Sequence, residues 1–167
     1  YFTGVTGFSS KNEIEFHFID KLLPGYFWIF PMPNGGANVG VIVRSKDADK
    51  LREQFNDIIQ HHPTFSSRFT NAKMEGKLQG WTLPLNSAHK QLSGENYFLL
   101  GDAGSLIEPL SGKGIGIAMI SGKIGAEFAI KAIQSQNFSA QGLHAYHDAV
   151  YNRYQTEWKL SYKIQQW

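Results

Sequence analysis

Cysteine is absent from this 167-residue chain. Its absence excludes a disulfide framework, cysteine-ligated zinc, an iron–sulfur cluster and a thiol nucleophile. A surplus of one charge is also absent, because 16 basic residues face 14 acidic ones, which argues against nucleic acid as a partner. No run approaches the roughly 20 apolar residues of a membrane span, and the first residues do not resemble a signal peptide. We therefore expect a cytoplasmic protein, with peripheral contact to a membrane left open.

Aromatic residues are abundant. They make up 14% of the chain, with 12 Phe, 7 Tyr and 4 Trp, whereas charged residues make up only 18%, below the roughly 25% of ordinary domains. This composition argues against disorder. It indicates extensive apolar surface, buried within the chain or against a partner, and a chain of this length can bury a large core without disulfides.

The first 95 residues have the pattern of an antiparallel sheet with one helix. Glu13–Ile19 alternates polar and apolar residues, which is typical of a half-buried strand. Tyr26–Val43 contains two strand-like runs around a Pro-Asn-Gly-Gly turn and predicts a β-hairpin. Apolar spacing predicts a helix over Asp47–His61, with its first residue as the N-cap. Two further strands are predicted over 67–73 and 77–83.

The pattern changes at residue 96. Asn96–Leu100 is a short apolar run, typical of a strand buried on both faces. A glycine-rich passage follows, and apolar spacing then predicts two long helices, Ile115–Ile133 and Ala140–Gln166. We therefore predict an α+β chain with a sheet unit over residues 1–95 and a second unit over residues 96–167.

The most informative stretch lies between the predicted strand and the first long helix. Gly101–Gly104 reads Gly-Asp-Ala-Gly at the carboxyl end of the strand, where ligands of α/β sheets bind. The Asp102 carboxylate can accept hydrogen bonds from sugar or ribityl hydroxyls, and the following amides can meet phosphate oxygens. Glycines at 112, 114 and 116 open the next helix, whose N-terminus favours an anion. From the residues alone, close packing of a strand–turn–helix explains these glycines equally well.

Two familiar phosphate-binding motifs do not fit this stretch. A P-loop requires G-x-x-x-x-G-K-[ST], but the chain has Ile107 and Gly114 at the first and last defining positions. A Rossmann G-x-G-x-x-G requires a third glycine where the chain has Ile117, and the loop before it is too long.

The stretch instead resembles the second flavin-binding motif of FAD-dependent oxidoreductases of the para-hydroxybenzoate hydroxylase superfamily. A second match is similar to the Y-x-W-x-F-P and A-N-V-G-V signature of geranylgeranyl reductase-like flavoproteins. The matching residues are Gly101–Gly104, Glu108-Pro109, Ser111-Gly112 and Gly114-Ile115 for the first motif, and Pro24–Pro31 with Gly36–Val41 for the second. Together the resemblance covers about residues 1–165.

The resemblance implies roles for the matching residues. Asp102 would hold the ribityl chain of FAD, Ala103 and Gly104 would lie by its pyrophosphate, and the helix N-terminus would face the isoalloxazine ring. Tyr26, Trp28 and Phe30 would form a wall of the substrate cavity, in a substrate-domain portion of the sheet. The implied flavin-binding residues are Gly101, Asp102, Ala103, Gly104, Pro109, Gly112, Gly114 and Ile115. No catalytic residue is implied.

The chain also departs from this family. The N-terminal G-x-G-x-x-G that binds the ADP half of FAD is absent, as are the arginine-containing motif that accompanies it and any cavity cysteine. We therefore expect the C-terminal part of a longer flavoenzyme, which needs the missing dinucleotide-binding half and by itself is inactive and binds little or no FAD.

The implied activity of the parent is reduction of isoprenoid double bonds or of another small apolar substrate, with NAD(P)H as a candidate electron donor. Two alternatives stay open. One is a flavin-dependent monooxygenase on the same scaffold, and the other is a non-enzymatic β-sheet module that binds a hydrophobic ligand without flavin.

Two histidine pairs are weaker signals. His61-His62 is interpreted as a solvated helix end. His144 and His147 stand one helical turn apart beside Asp148, but a surface position is favoured over a ligand pair, so no metal is predicted. The aromatic stripe Tyr154–Trp158–Tyr162 has the spacing of a buried helix face.

Overall fold

The computed structural model describes residues 1–10 and 12–165 and divides the chain into two compact units, Tyr1–Gly80 and Trp81–Trp167. An antiparallel sheet and C-terminal helices confirm the predicted α+β class. Among the described residues, no helix is both long and apolar enough to cross a membrane.

In the first unit, the described residues form a five-stranded antiparallel sheet and one α-helix. The strands are β1 (Phe2–Thr3), β2 (Glu15–His17), β3 (Tyr26–Pro31), β4 (Ala37–Ile42) and β5 (Lys73–Met74), and the helix is α1 (Leu51–His61). Their order across the sheet is β2-β3-β4-β1-β5. The predicted hairpin is confirmed, because β3 and β4 pair along their whole length with Trp28 opposite Gly40.

The core of the first unit lies between the sheet and α1. Phe27 and Ile29 are fully buried, and they pack in one cluster with Phe55 and Ile58 of α1. Side chains alternate along a strand, so the residues between them, Trp28 among them, project from the opposite face. The period-2 pattern of β3 therefore separates a core face from a second, aromatic face.

Four predictions for this unit are wrong in their details. Residues Ser45–Lys50 form a 3-10 helix, so α1 begins at Leu51 and Asp47 is not its N-cap. The alternating run Glu13–Ile19 contributes only β2. A 3-10 helix, Ser66–Phe69, replaces the first part of the strand predicted at 67–73, because Phe65 and Phe69 are both buried at helical spacing. The described residues of 77–83 form no strand.

The second unit contains a short hairpin and two long helices. Its elements are β6 (Ser93–Gly94), β7 (Tyr97–Phe98), α2 (Ile115–Ser135) and α3 (Ala140–Gln165). Both predicted helices are confirmed, although Gln166 lies outside the described residues. The buried strand predicted at 96–100 is wrong: among the described strands β7 pairs with β6 alone, and Tyr97 and Leu100 are 45% and 40% exposed.

The core of the second unit is built around α3. Tyr146, Val150, Tyr154 and Trp158 are buried on one stripe of the helix and cluster with Leu92, Leu106 and Ile117. The predicted core position is thus confirmed for Tyr154 and Trp158, whereas Tyr162 is 37% exposed. Gly125 of α2 allows a close approach, since an added Cβ would lie 2.8 Å from Cδ2 of Leu100.

The segment 81–95 packs within the second unit. Leu85 forms a parallel bridge with Ile107, the Asn86 N–H donates to the Ile107 carbonyl at 2.8 Å, and Leu92 is fully buried in the second core. The sequence pattern changes at residue 96, whereas the packing changes after Gly80. The reason is that this polar, loop-like segment carries Leu92 into the second core, although Trp81 and Leu83 stay exposed.

Candidate functional site

The Gly-Asp-Ala-Gly segment forms one turn of 3-10 helix that packs on α2. Gly101 has a φ of +50°, and an added Cβ there would lie 2.8 Å from the Cβ of Ala118. Its N–H donates to Oγ of the fully buried Ser121 at 3.0 Å. A glycine is required at 101 both by its left-handed conformation and by the closeness of α2, so the turn has one fixed position on the helix.

Asp102 lies beside the start of α2. It is exposed, and its Oδ1 is 3.6 Å from the position of a Cβ added at Gly114, the residue that precedes the helix. Among the described side chains, none caps this helix start. Its first N–H groups therefore keep their partial positive charge for an external acceptor. At Gly116 an added Cβ would meet no described atom within 4 Å, so this corner borders open space.

The loop between the turn and the helix is organised by Glu108, whose residue surface is only 4% exposed. One carboxylate oxygen accepts the Leu110 N–H at 3.0 Å, and the other accepts the N–H and Oγ–H of Ser111 at 2.7 and 2.5 Å. The Glu108 N–H donates to the Lys113 carbonyl at 3.0 Å. Gly112 has a φ of +73°. The loop is thus folded around one buried carboxylate.

The charge of Glu108 follows from these contacts. Burial raises the pKa of its carboxyl, but hydrogen bonds from Ser111, Ser161 and the Leu110 amide outweigh burial and hold the pKa below its usual value. At neutral pH the group is therefore ionised and acts only as an acceptor. An ionised acceptor is what a set of converging N–H and O–H donors stabilises.

Three residues that support the turn and loop were not assigned a role from the sequence. They are Glu108, Ser121 and Tyr146. The Tyr146 hydroxyl donates to the Leu99 carbonyl at 2.8 Å, and burial raises the pKa of Tyr146 to about 12, so that it stays a donor. The available signals were a serine among the small residues of α2 and a tyrosine on the buried aromatic stripe of α3.

The predicted flavin-binding residues differ in exposure. The exposed ones are Asp102, Ala103 and Ile115, the half-buried ones are Gly112 and Gly114, and the buried ones are Gly101, Gly104 and Pro109. Gly104 packs against the core, since a Cβ there would lie 3.1 Å from Leu92 and 3.2 Å from Leu106. The structure therefore brings Gly101, Asp102 and Gly114 together at the start of α2. Their arrangement is compatible with a flavin motif: an exposed carboxylate, a free helix N-terminus and bare backbone at one corner.

The predicted cavity residues lie in the first unit, on one face of β3. Tyr26, Trp28 and Phe30 alternate with the core residues, and Phe16 of β2 joins them, with its ring centroid 5.2 Å from Tyr26 and 5.1 Å from Phe30. We call these four residues the aromatic face. Their edge-on packing is favourable for aromatic rings.

The position of Trp28 is fixed by its neighbours on β4. Its Nε1–H donates to Oδ1 of Asn38 at 2.8 Å, and its ring lies on the bare backbone of Gly40, where an added Cβ would be 2.3 Å from Cζ2. A groove of about 640 Å³ opens beside β4, and these three residues line it together with Phe55 and residues 74–80. The A-N-V-G-V run thus provides the hydrogen-bond acceptor, Asn38, and the backbone surface on which the indole packs, at Gly40.

The histidine pair of α3 is partly buried, which corrects the surface prediction. His147 is only 5% exposed, and its Nδ1 accepts the Leu92 N–H at 3.3 Å. Ligand atoms of His144, His147 and Asp148 lie within 4.8 Å of one another. Burial, reinforced by nearby His89, lowers the pKa of His147. A neutral ring that accepts at Nδ1 carries its proton on Nε2, so neither nitrogen of His147 offers a lone pair to a metal.

Comparison with known proteins gives relatives that match most of the chain. It is 33% identical over 143 residues to digeranylgeranylglycerophospholipid reductase 1 of Methanosphaera stadtmanae, covering 84% of this chain and 34% of that protein. It is 34% identical over 154 residues to the reductase of Methanococcus aeolicus (91% and 36%), and 30% identical over 165 residues to reductase 2 of Methanopyrus kandleri (95% and 40%). No family model matches the chain.

A solved structure shares the fold. A geranylgeranyl bacteriochlorophyll reductase-like protein of Thermoplasma acidophilum superposes with a TM-score of 0.76 at 22% identity, over 99% of this chain and 41% of that one. The chain thus spans between 34% and 41% of the length of these proteins. These findings confirm the predicted resemblance to the geranylgeranyl reductase-like family.

Proposed function

We propose that this chain supplies the second flavin motif and part of the substrate cavity of an FAD-dependent reductase that acts on an isoprenoid or other apolar substrate. The observation that carries the proposal is the exposed Asp102 beside the uncapped start of α2, within the matching motif. Similarity to named reductases along most of the chain supports the reaction class. Because the chain covers about a third of those proteins, the ADP half of FAD would be held by residues outside these 167.

The second unit would hold the flavin through both charge and backbone. Asp102 would accept hydrogen bonds from ribityl hydroxyls, and the first N–H groups of α2 would face the anionic edge of the ring system. The Glu108-centred loop would place Pro109 and Gly112 against the ring. FAD, when bound, supplies hydride transfer, while the protein orients it and excludes water.

The aromatic face would contact the apolar substrate. Tyr26, Trp28 and Phe30 are half-buried and offer ring surface rather than charge, which suits an isoprenoid chain. Trp28 is held in one orientation by Asn38 and Gly40, so the substrate would meet a preformed surface at little entropic cost. We further propose NAD(P)H as the electron donor and peripheral membrane contact as the route of an apolar substrate.

The first test concerns Asp102. In the protein that also carries the dinucleotide-binding half, Asp102→Ala should weaken FAD binding about tenfold or more, because hydrogen bonds to a charged group contribute about 1.5–3 kcal/mol. FAD content is measured from flavin absorbance after gel filtration. Asp148→Ala, which removes another exposed carboxylate of the same unit, is the matched control.

Unchanged FAD content in the Asp102 variant would contradict the assignment, and so would tight FAD binding by the 167 residues alone. Anaerobic substrate reduction is the result expected of a reductase. Oxygen-dependent product formation would instead identify a monooxygenase, and a colourless protein that binds an apolar ligand would identify the binding module.

A further inference from the structure

The last third of α3 contacts the Glu108-centred loop, which comprises residues 108–113, at three points. The contacting residues are Glu157, Ser161 and Gln165, which are spaced four apart and therefore lie on one stripe of the helix. We call this set the α3 stripe. It is separate from the buried aromatic stripe, whose last fully buried member is Trp158.

Each member of the α3 stripe contacts a different part of the loop. Gln165 Nε2–H donates to the Pro109 carbonyl at 2.6 Å, and the Ser161 hydroxyl hydrogen-bonds the Glu108 carboxylate. Glu157 pairs with Lys113 Nζ at 2.9 Å. The stripe therefore contacts the first two residues of the loop and its last residue before the glycine that opens α2.

The three contacts are unequal. Lys113 and Glu157 side chains are 57% and 46% exposed, and an exposed ion pair contributes only about 0.2–1 kcal/mol. Ser161 and Gln165 are half-buried, and Ser161 bonds a carboxylate that is nearly inaccessible. A hydrogen bond to a buried charge is the stronger kind, so the contacts at the start of the loop dominate.

Of the two apolar residues in the loop, Pro109 is fully buried and Leu110 is 41% exposed. The ends of the loop are joined by the Glu108 N–H to the Lys113 carbonyl, and its turn is closed by the Gly112 N–H to the Glu108 carbonyl at 3.1 Å. These bonds fix the shape of the loop but not its place on the unit. The contacts with the α3 stripe tie that preformed shape to a long helix.

We infer that the α3 stripe is a positioning element, which holds the Glu108-centred loop at the distance from α2 that the flavin ring requires. Glu157, Ser161 and Gln165 contact neither cofactor nor substrate, and they act through Glu108, Pro109 and Lys113. The part of this inference that concerns the flavin rests on the proposed function. The part that concerns the loop does not.

The experiment measures amide hydrogen exchange of Leu110, Ser111 and Gly112 in the 167-residue chain. The double variant Ser161→Ala/Gln165→Ala should exchange at these amides about tenfold faster, the factor that corresponds to a loss of 1.4 kcal/mol. Alanine is the best helix former, so faster exchange cannot come from a weaker α3. Lys163→Ala, on the same turn of the helix, is the control and should leave exchange unchanged.

A conservative variant separates the hydrogen bond from packing. Ser161→Thr keeps the hydroxyl, so its loop amides should exchange at a rate close to that of the unmodified chain. Ser161→Ala removes the hydroxyl, so its loop amides should exchange faster. Unchanged exchange of the loop amides in the double variant would overturn the inference. An equal acceleration along all of α2 and α3 would also overturn it, because it would show general destabilisation.

The flavin readout uses the FAD-loaded protein with its dinucleotide-binding half. The double variant should shift the visible flavin absorption bands and raise the Kd for FAD several-fold, while the Lys163 control should do neither. A reference protein that takes up no FAD would overturn the proposed function, and the exchange rates would still decide the positioning role. A flavin spectrum and Kd unchanged by the double variant would overturn the flavin part of the inference.

Discussion

In the first unit, side chains on a regular sheet form the candidate surface, whereas in the second unit backbone turns held by buried polar groups form it. The aromatic face follows from alternation along β3 and from its pairing with β2 and β4, which supply Phe16 and the Gly40 backbone under Trp28. The turn at Asp102 depends instead on the contact of Gly101 with Ser121, and the loop that follows depends on contacts with Glu108. Burial is non-directional and tolerates small shifts, while a hydrogen bond is lost over about an ångström.

The difference predicts two kinds of sensitivity. Substitutions in the first unit should act through volume, and their cost should follow burial. Substitutions in the second unit should act through donors and acceptors, with little change in volume. Three measurements test whether the two units differ in this way.

The largest effect is expected at Phe27, which is fully buried beneath the aromatic face. Phe27→Ala should lower the free energy of unfolding by about 3–5 kcal/mol, because it removes buried apolar surface and leaves a cavity. Tyr26→Ala, next to it on the opposite face, should cost less than half as much. Urea unfolding followed by circular dichroism measures both. Equal losses would show that both faces of the sheet are core.

An intermediate effect is expected at Gly40, under the Trp28 ring. Gly40→Ala places a Cβ 2.3 Å from a rigid indole. The Trp28 side chain therefore has to move away from position 40, and it loses its hydrogen bond to Asn38. We expect a loss of about 1–3 kcal/mol, as for other overpacked sites. Gly80→Ala is the control, since a Cβ there meets no described atom within 4 Å. A stable Gly40 variant with unaltered tryptophan fluorescence would contradict the packing of the Trp28 ring on the backbone of Gly40.

The smallest effect is a pH dependence that separates the two units by mechanism. Hydrogen bonds from Arg68, at 2.6 and 2.9 Å, are the main cause that lowers the pKa of Glu15 in the first unit, against an opposing effect of burial. In the second unit, neutral hydroxyl and amide donors lower the pKa of Glu108 despite burial. A carboxyl with a lowered pKa in the folded state stabilises fully above its unfolded pKa, and the stabilisation is lost as the pH falls.

Stability should therefore decline below about pH 5, and Glu15→Gln or Glu108→Gln should each make that decline shallower. NMR titration of the two carboxyls gives the sharper comparison. Arg68→Met should raise the pKa of Glu15 and leave that of Glu108 unchanged. Ser161→Ala should raise the pKa of Glu108 and leave that of Glu15 unchanged. A change at both carboxyls in either variant would show that the two mechanisms are not separate.

Much of the fold could be predicted because its periodicity is strong. The Tyr26–Val43 hairpin combines alternation with a turn sequence, and the apolar spacing of α2 and α3 extends over many turns. The wrong predictions fall on short segments, whose structure depends on a few contacts with residues elsewhere in the chain. The run at Tyr97–Leu100 is apolar but exposed at both ends: Tyr97 packs over Gly94, and Leu100 over Gly125. The pattern of a run of four or five residues does not indicate which residues outside it, here Gly94 and Gly125, its side chains pack against.

The candidate site was predicted only in part for a related reason. Motif residues such as Asp102 and Gly114 are close in the chain, so their spacing in the sequence predicts that they lie near each other in the structure. Ser121 lies 20 residues from the amide it accepts, and Tyr146 lies 47 residues from the carbonyl it bonds. Such contacts depend on how α2 and α3 pack, and a hydroxyl on a helix does not indicate its partner.

The close approach between Leu100 and Gly125 has an evolutionary consequence. A Cβ at 125 would lie 2.8 Å from Leu100 Cδ2 and 3.6 Å from the Tyr146 ring, so the two positions share one volume. A lineage that gains a methyl group at position 125 of α2 needs a smaller or displaced side chain at position 100, in the segment that leads into Asp102. Drift in an inconspicuous helix position is therefore coupled to the segment that presents the carboxylate, and the two positions should vary together among descendants of this sequence.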